Sequence, residues 1–149
     1  MAVTLFDTEN KELPVSFLSF SGGERHVQLG EFARVENFVI RANLQKADDV
    51  FDLLLLADAL NAAFTAPRLN IEIPYLPYAR QDRVCAPGQA FSLNVMAGLI
   101  EQIQGLEKLV VWDCHSPVGV DLTGALNVPA EDIMKACLLY TSPSPRDRG

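Results

Sequence analysis

Four consecutive polar residues, Arg80, Gln81, Asp82 and Arg83, combine two guanidiniums, an amide and a carboxylate in one short segment. A guanidinium is a planar fork of donors that matches phosphate oxygens, and Asp82 is placed to orient one of the two. The preceding residues 74–79, Pro-Tyr-Leu-Pro-Tyr-Ala, restrict the chain and fix where the arginines point. The cluster therefore predicts an anion clamp, with a polyphosphate as the favoured ligand. The alternative from composition alone is a solvated polar loop.

A second polar cluster, Asp-Cys-His-Ser at residues 113–116, closes an apolar run at residues 109–112. Alternate residues of a strand project to the same side, which predicts that Asp113 and His115 share a hard cation such as Mg²⁺. Water and phosphate oxygens would complete the octahedral shell. A lone Asp/His pair is a signal of low specificity, so the alternative is a turn or helix-cap cluster. Cys114 is expected on the opposite face as a small packed residue.

A third segment, Phe-Ser-Gly-Gly-Glu-Arg-His at residues 20–26, joins an aromatic ring to a carboxylate through a glycine turn. Phe20 is able to stack on a purine and Glu24 to accept a hydrogen bond from its amino group, with Gly23 in the turn between them. The alternative, which chemistry alone favours, is a plain hairpin turn. No phosphate-binding loop of the Walker type is present, because the two-glycine spacing of residues 119–124 is not followed by a lysine.

The composition places these clusters in one ordinary folded domain. The chain has 149 residues, of which 49% are hydrophobic and 21% charged, with a formal net charge of −7. That charge argues against a nucleic-acid surface and against a polybasic membrane anchor. No apolar run approaches the roughly 20 residues that span a bilayer, and the N-terminus does not resemble a signal peptide. Three cysteines without CxxC spacing indicate a reduced, cytoplasmic protein.

An alternation of strands and helices is predicted to position the clusters. A helix capped by Asp48 or Asp49 and a second one from Ser92, its N-cap, to about Gln104 have apolar residues at helical spacing, and Gly105 ends the second. Strands are predicted at residues 3–6, 14–20, 25–29, 38–40, 69–74 and 108–112. This order predicts an α/β domain with right-handed crossovers. Ligands of such sheets bind outside the carboxyl ends of the strands, where the first two clusters lie.

The last twelve residues, 138–149, are rich in proline and serine and lack periodicity. They resemble the translated adapter sequences that end some assembled reading frames, and the alternative is a natural disordered tail. We therefore predict a native domain over residues 1–137, followed by a non-native or disordered tail over residues 138–149.

The three clusters, in this order and at this spacing, resemble the N-terminal half of ribose-phosphate pyrophosphokinase, also called phosphoribosyl pyrophosphate synthetase. The resemblance covers about residues 13–135 and is closest to divergent phage-like and bacterial members. It implies a phosphoribosyltransferase-like fold. That fold is an open, mainly parallel sheet flanked by helices, with an N-terminal hairpin, and here it would be truncated at the C-terminus.

The resemblance also implies the reaction, in which ATP transfers its β,γ-diphosphoryl group to ribose 5-phosphate and AMP is released. Arg80 and Gln81 would contact ATP, with Arg83 nearby on phosphate and Asp82 in the same site. The metal ligands for Mg²⁺ would be Asp113 and His115. The remaining ATP-binding positions would approach the adenine of a neighbouring subunit in a homo-oligomer built from dimers, up to a hexamer: Phe20, Gly23 and Glu24.

Two departures from the family bear on activity. Gly22 stands where the family usually has an aspartate, so one contact on the adenine side is lost or replaced. The family's acidic loop for ribose 5-phosphate and its mobile catalytic lysine and arginine belong to a second half without a counterpart here. No catalytic residue is therefore assigned, and the chain alone is expected to be inactive. The alternatives are a non-catalytic regulatory subunit and an unrelated nucleotide-binding module.

Overall fold

A six-stranded sheet organises the computed structural model of the chain, which describes residues 2–33 and 35–141. Its strand order is β2-β1-β5-β6-β7-β8, and β3 and β4 form a separate two-stranded sheet. The strands are β1 (Val3–Phe6), β2 (Glu12–Leu13), β3 (Val15–Ser19), β4 (Arg25–Leu29), β5 (Asn37–Ala42), β6 (Arg68–Ile73), β7 (Leu106–Trp112) and β8 (Leu126–Val128). The helices are α1 (Ala47–Ala63), α2 (Ser92–Glu101), α3 (Pro117–Thr123) and α4 (Ala130–Thr141).

The sheet is parallel from β5 to β8 and antiparallel only where β1 pairs with β5 and with β2. The predicted mainly parallel α/β sheet with an N-terminal hairpin is therefore confirmed. Alternate residues of the central strand β6 are fully buried, namely Leu69, Ile71 and Ile73. Because β5, β6 and β7 run in the same direction, their carboxyl ends lie at one edge of the sheet. The arginine cluster and the Asp/His cluster both follow strands that end there.

The start of α1 differs from the prediction. Lys46 is the N-cap, and the helix begins at Ala47 rather than after Asp48 or Asp49. Asp49 occupies the third helical position, and its carboxylate accepts the backbone N–H groups of Gln45 and Lys46 at 2.9 Å each. Asp49 thus accepts hydrogen bonds from amides that precede the helix, as the third residue of a capping box does. Because Asp49 lies inside the helix and is not its N-cap, the helix begins earlier than predicted.

The bounds of α2 also differ from the prediction. Phe91 is the N-cap and Ser92 is the first helical residue, while the helix ends at Glu101 and not near Gln104. The N–H of Ile103 bonds to the Ile100 carbonyl at 3.0 Å, so a tighter turn replaces the next helical turn. No sequence pattern predicted β2, β8, α3 or α4, all of which are short or lie next to the predicted tail.

The structure describes only part of the predicted tail over residues 138–149. The backbone of α4 continues to Thr141, and residues 142–149 of the predicted tail lie outside the described residues. Within residues 2–33 and 35–141, no helix is long and apolar enough to cross a membrane.

Candidate functional site

The loop that carries the arginines is anchored by two buried apolar residues. Leu76 and Ala79 are each 1% exposed, which holds the turn against the core after β6 ends. Tyr78 has a φ of 62°, and its carbonyl accepts the N–H of Gln81 at 2.8 Å. Arg80 and Gln81 therefore lie on a fixed turn, and their side chains are exposed. We call residues 80–83 the arginine loop.

All four residues of the arginine loop line one open cavity of about 510 Å³. The far wall comes from residues within 85–92, of which the sequence analysis named only Ser92, as a helix cap. The side chain of Gln89 shapes that wall, because its Oε1 accepts the backbone N–H groups of Cys85 and Ala86 at 3.2 Å each. The lining residues are Arg80, Gln81, Asp82, Arg83, Cys85, Gln89, Ala90 and Ser92.

Asp82 is the part of the loop that is held in place. Its Oδ2 accepts a hydrogen bond of 2.7 Å from the hydroxyl of Ser116, and its Oδ1 lies 3.5 Å from Nε of Arg83. The Ser116 hydrogen bond, followed by the charge of Arg83, lowers the pKa of the Asp82 carboxyl below its ordinary value. The Ser116 hydroxyl thus orients the Asp82 carboxylate, and the predicted role of Asp82 in positioning a guanidinium stays a prediction. The sequence analysis did not single out Ser116.

The turn after β7, residues 113–116, is built differently from the strand continuation that the sequence analysis assumed. We call it the metal turn. The strand ends at Trp112, and Asp113 has a φ of 48°, so the alternation of strand side chains does not extend to His115. The N–H of Asp113 bonds to the Val128 carbonyl at 2.8 Å, and its Oδ1 accepts the Ala130 N–H at 3.4 Å. The strand-based reason for pairing Asp113 with His115 is therefore wrong, although both residues are exposed on the same turn.

The side chain of Cys114 packs as predicted. It is half-buried against the core, and its thiol donates to the Ser116 carbonyl at 3.3 Å. Its backbone N–H donates to Oδ1 of Asn127 at 2.9 Å. Hydrogen bonds to neighbouring segments thus hold the metal turn through Asp113, Cys114 and Ser116.

The metal turn carries two exposed side chains that are able to ligate a metal, Asp113 and His115. Among the described residues, no group of three or more His, Cys, Asp or Glu side chains is arranged to hold a metal. Mg²⁺ in nucleotide sites keeps several waters and takes one or two carboxylates, with phosphate oxygens as the remaining ligands. Asp113 and His115 alone would not complete the coordination of a Mg²⁺ ion. Such an ion would also need phosphate oxygens and waters as ligands.

The glycine turn, residues 20–24, closes the β3–β4 hairpin. The N–H of Phe20 donates to the Glu24 carbonyl at 2.9 Å, and Gly23 has a φ of 88°, which favours glycine. The ring of Phe20 is 55% exposed and lies 5.9 Å from the ring of His26. No residue of this turn lines the arginine-loop cavity of its own chain. The structure therefore does not bring together the purine-binding and phosphate-binding candidates within one subunit.

Residues 7–103 match a protein-family model described as the N-terminal domain of ribose phosphate pyrophosphokinase. This match covers more than half of the chain and includes both the glycine turn and the arginine loop. The chain belongs to the ribose-phosphate pyrophosphokinase family. The metal turn lies beyond the matched residues.

Curated relatives and a solved structure agree with the family. The ribose-phosphate pyrophosphokinase of Helicobacter hepaticus is 34% identical over 76% of this chain and 36% of its own length. Ribose-phosphate pyrophosphokinase 1 of Lactococcus lactis is 32% identical over 84% of this chain and 38% of its own length. The phosphoribosylpyrophosphate synthetase of Mycobacterium smegmatis shares the fold, with a TM-score of 0.68 at 18% identity over 87% of this chain and 44% of that one. The chain thus spans little more than a third of these curated pyrophosphokinases.

In this pyrophosphokinase domain the hairpin is attached to α1 by a two-pronged ion pair. Nε and Nη2 of Arg25 donate to the two carboxylate oxygens of Asp52 at 2.8 and 2.5 Å. Asp52 is only 5% exposed, and Val27 of the same strand is 8% exposed. The hydrogen bonds that Arg25 donates to Asp52 raise the pKa of Arg25 above its ordinary value. Since Arg25 directly follows the glycine turn, the pair fixes where that turn projects.

Replacing Asp52 with asparagine is expected to loosen the hairpin without melting the central sheet. The variant leaves the Arg25 guanidinium without its carboxylate, and we expect amide hydrogen exchange in β3 and β4 to become about tenfold faster. Exchange in β6 and β7 should remain protected. Asp58→Asn, an exposed change on the same helix, is the control. Equal exchange rates in β3 and β4 of the two variants would contradict the anchoring role.

Proposed function

We propose that this chain is the ATP- and Mg²⁺-binding N-terminal part of a ribose-phosphate diphosphokinase, which makes phosphoribosyl pyrophosphate and AMP from ATP and ribose 5-phosphate. The observation that carries the proposal is the single cavity lined by all four residues of the arginine loop at the carboxyl end of β6. The neighbouring parallel strand β7 leads into the metal turn at the same edge of the sheet.

The arginine loop would bind the phosphates of ATP. Two guanidiniums supply directional donors and positive charge, and Asp82 keeps Arg83 oriented toward the cavity. Gln81 adds an amide that is able to donate to, or accept from, the nucleotide. Because phosphoryl transfer needs little covalent chemistry from the protein, these residues would act by positioning ATP and neutralising its charge.

The metal turn would hold Mg²⁺ through Asp113 and His115. The bound ion would neutralise charge on the phosphate oxygens during transfer. In the described residues, Oδ1 of Asp113 accepts a hydrogen bond from the Ala130 N–H, and Oδ2 accepts none. That free oxygen is the one we assign to the metal.

The glycine turn would serve a neighbouring subunit of a cytoplasmic homo-oligomer. The exposed ring of Phe20 and the exposed carboxylate of Glu24 are available to a partner, and they do not reach the phosphate cavity of their own chain. An ATP site shared between two subunits accounts for this separation.

The purified 149-residue chain is expected to bind ATP in the presence of Mg²⁺ and to release no AMP when ribose 5-phosphate is added. Titration calorimetry measures the binding, and chromatography of the nucleotides measures AMP. Absence of ATP binding would overturn the ATP-site assignment. AMP formation would show that the acceptor site and the catalytic groups lie within this chain.

A non-catalytic regulatory subunit is the alternative, and the glycine at position 22 favours it because the family usually has an aspartate there. The structure places the Glu24 carboxylate 3.0 Å from where a Cβ at position 22 would lie. A coding sequence that continues beyond residue 137 with an acidic, Thr/Gly-rich loop would favour the enzyme. A continuation without that loop would favour the regulatory subunit.

A further inference from the structure

Ser116 is a buried hydroxyl between two exposed loops. It is 3% exposed, and the only other buried polar residue in the described part of the chain is Asp52. Its Oγ donates to Asp82 at 2.7 Å and accepts the backbone N–H of Val118 at 3.2 Å. Both hydrogen bonds together fix the direction of the hydroxyl, because the acceptor bond from α3 leaves its proton aimed at Asp82.

This hydroxyl joins the two halves of the proposed site. Asp82 belongs to the arginine loop, and Ser116 directly follows His115 in the metal turn, 34 residues later. Within residues 2–33 and 35–141, no other hydrogen bond joins these two loops. A hydrogen bond from a buried, oriented hydroxyl to the half-buried Asp82 restrains loop movement more than the packing of exposed side chains does.

The hydrogen bond between Ser116 and Asp82 also bears on Arg83, because Asp82 contacts both residues. One Asp82 oxygen takes the Ser116 hydroxyl, and the other lies 3.5 Å from Nε of Arg83. Arg83 itself is 80% exposed and has no other ion pair in the described residues. Asp82 is thus the one carboxylate in contact with the Arg83 guanidinium in the described residues, and Ser116 holds Asp82.

We propose that Ser116 is a positioning residue that holds the arginine loop and the metal turn in register, so that one nucleotide polyphosphate meets both the guanidiniums and the metal. This inference rests on the proposed ATP site and adds a residue to it. Ser116 touches neither nucleotide nor metal. It acts through Asp82.

The test measures the dissociation constant for ATP by calorimetry, with Mg²⁺ and with EDTA, in the full 149-residue chain. Ser116→Ala should weaken ATP binding in Mg²⁺ by about fivefold, the usual effect of one lost hydrogen bond. Most of the gain in affinity that Mg²⁺ gives the unaltered chain should also disappear. Ser116→Thr, which keeps the hydroxyl, should restore both. Ser16→Ala, an exposed serine on β3, should behave like the unaltered chain.

Non-additivity separates positioning from a purely structural role at the start of α3. Asp82→Ala, which removes the acceptor, should cause a loss at least as large as that of Ser116→Ala, and the double variant should lose no more than the larger single loss. Additive losses, or a lower melting temperature with unchanged ATP affinity, would overturn the proposal and leave the ATP site standing. Failure of the unaltered chain to bind ATP would overturn both. If Ser116→Ala does not fold, Asp82→Ala decides, since it removes the acceptor of the same bond, and unchanged ATP affinity in that variant would overturn the proposal.

Discussion

Replacing Arg80 with alanine is expected to weaken ATP binding by about 10- to 100-fold, the effect of losing one hydrogen-bonding interaction with a charged partner. The fold should be unaffected, because the Arg80 side chain is exposed and makes no ion pair or hydrogen bond with any described residue. Its guanidinium is therefore available to a ligand at no cost in internal contacts. Titration calorimetry with ATP and Mg²⁺ measures the loss.

The control for Arg80 is an arginine on the same strand–loop unit but at the opposite end of the sheet. Arg68 begins β6 and is exposed, with one long ion pair to Glu107 at 3.4 Å. Arg68→Ala removes the same charge and should leave ATP affinity unchanged. Equal losses in both variants would indicate a general charge effect rather than a clamp. Arg80→Lys should fall between, because lysine keeps the charge and loses the planar fork.

Replacing Gly105 with alanine is expected to destabilise the chain by about 2–5 kcal/mol. Gly105 has a φ of 76°, and an alanine in the left-handed region costs about 1–2 kcal/mol. A methyl group there would also overlap the carbonyl oxygen of Pro67, and forced contacts of this kind cost about 1–3 kcal/mol. The backbone cannot easily shift, because the Gly105 carbonyl accepts the N–H of Leu69 at 2.8 Å where β6 and β7 begin to pair. Urea unfolding measures the loss.

Gly124→Ala is the matched control for Gly105. Gly124 has a φ of 63° at the end of α3, and nothing lies within 4 Å of a methyl group placed there. It should lose only the conformational part, about 1–2 kcal/mol. If the two variants lose the same free energy of unfolding, the close approach to Pro67 does not contribute. Because Gly105 lies at the amino ends of the strands, folded Gly105→Ala should still bind ATP normally.

Local sequence patterns were sufficient for the central strands and for the arginine loop. The alternating apolar residues of β6 and the helical spacing of α1 reflect short periods that are visible within a few residues. Errors occurred at helix boundaries that local hydrogen bonds set. Asp49 accepts the N–H groups of Gln45 and Lys46 at the start of α1, and the N–H of Ile103 bonds to the Ile100 carbonyl just after α2 ends.

The sequence by itself determined the α/β class, the family and the residues able to bind phosphate, since these depend on residue type and on spacing along the chain. Only the tertiary structure decided which of those residues meet. In the structure, Asp82 bonds to Ser116, 34 residues away in the sequence, and Arg25 bonds to Asp52, 27 residues away. Asp113 has a positive φ and so lies outside the strand. The physical reason is that such contacts depend on which strands are neighbours and how their ends align, a property of chain topology that no local pattern records.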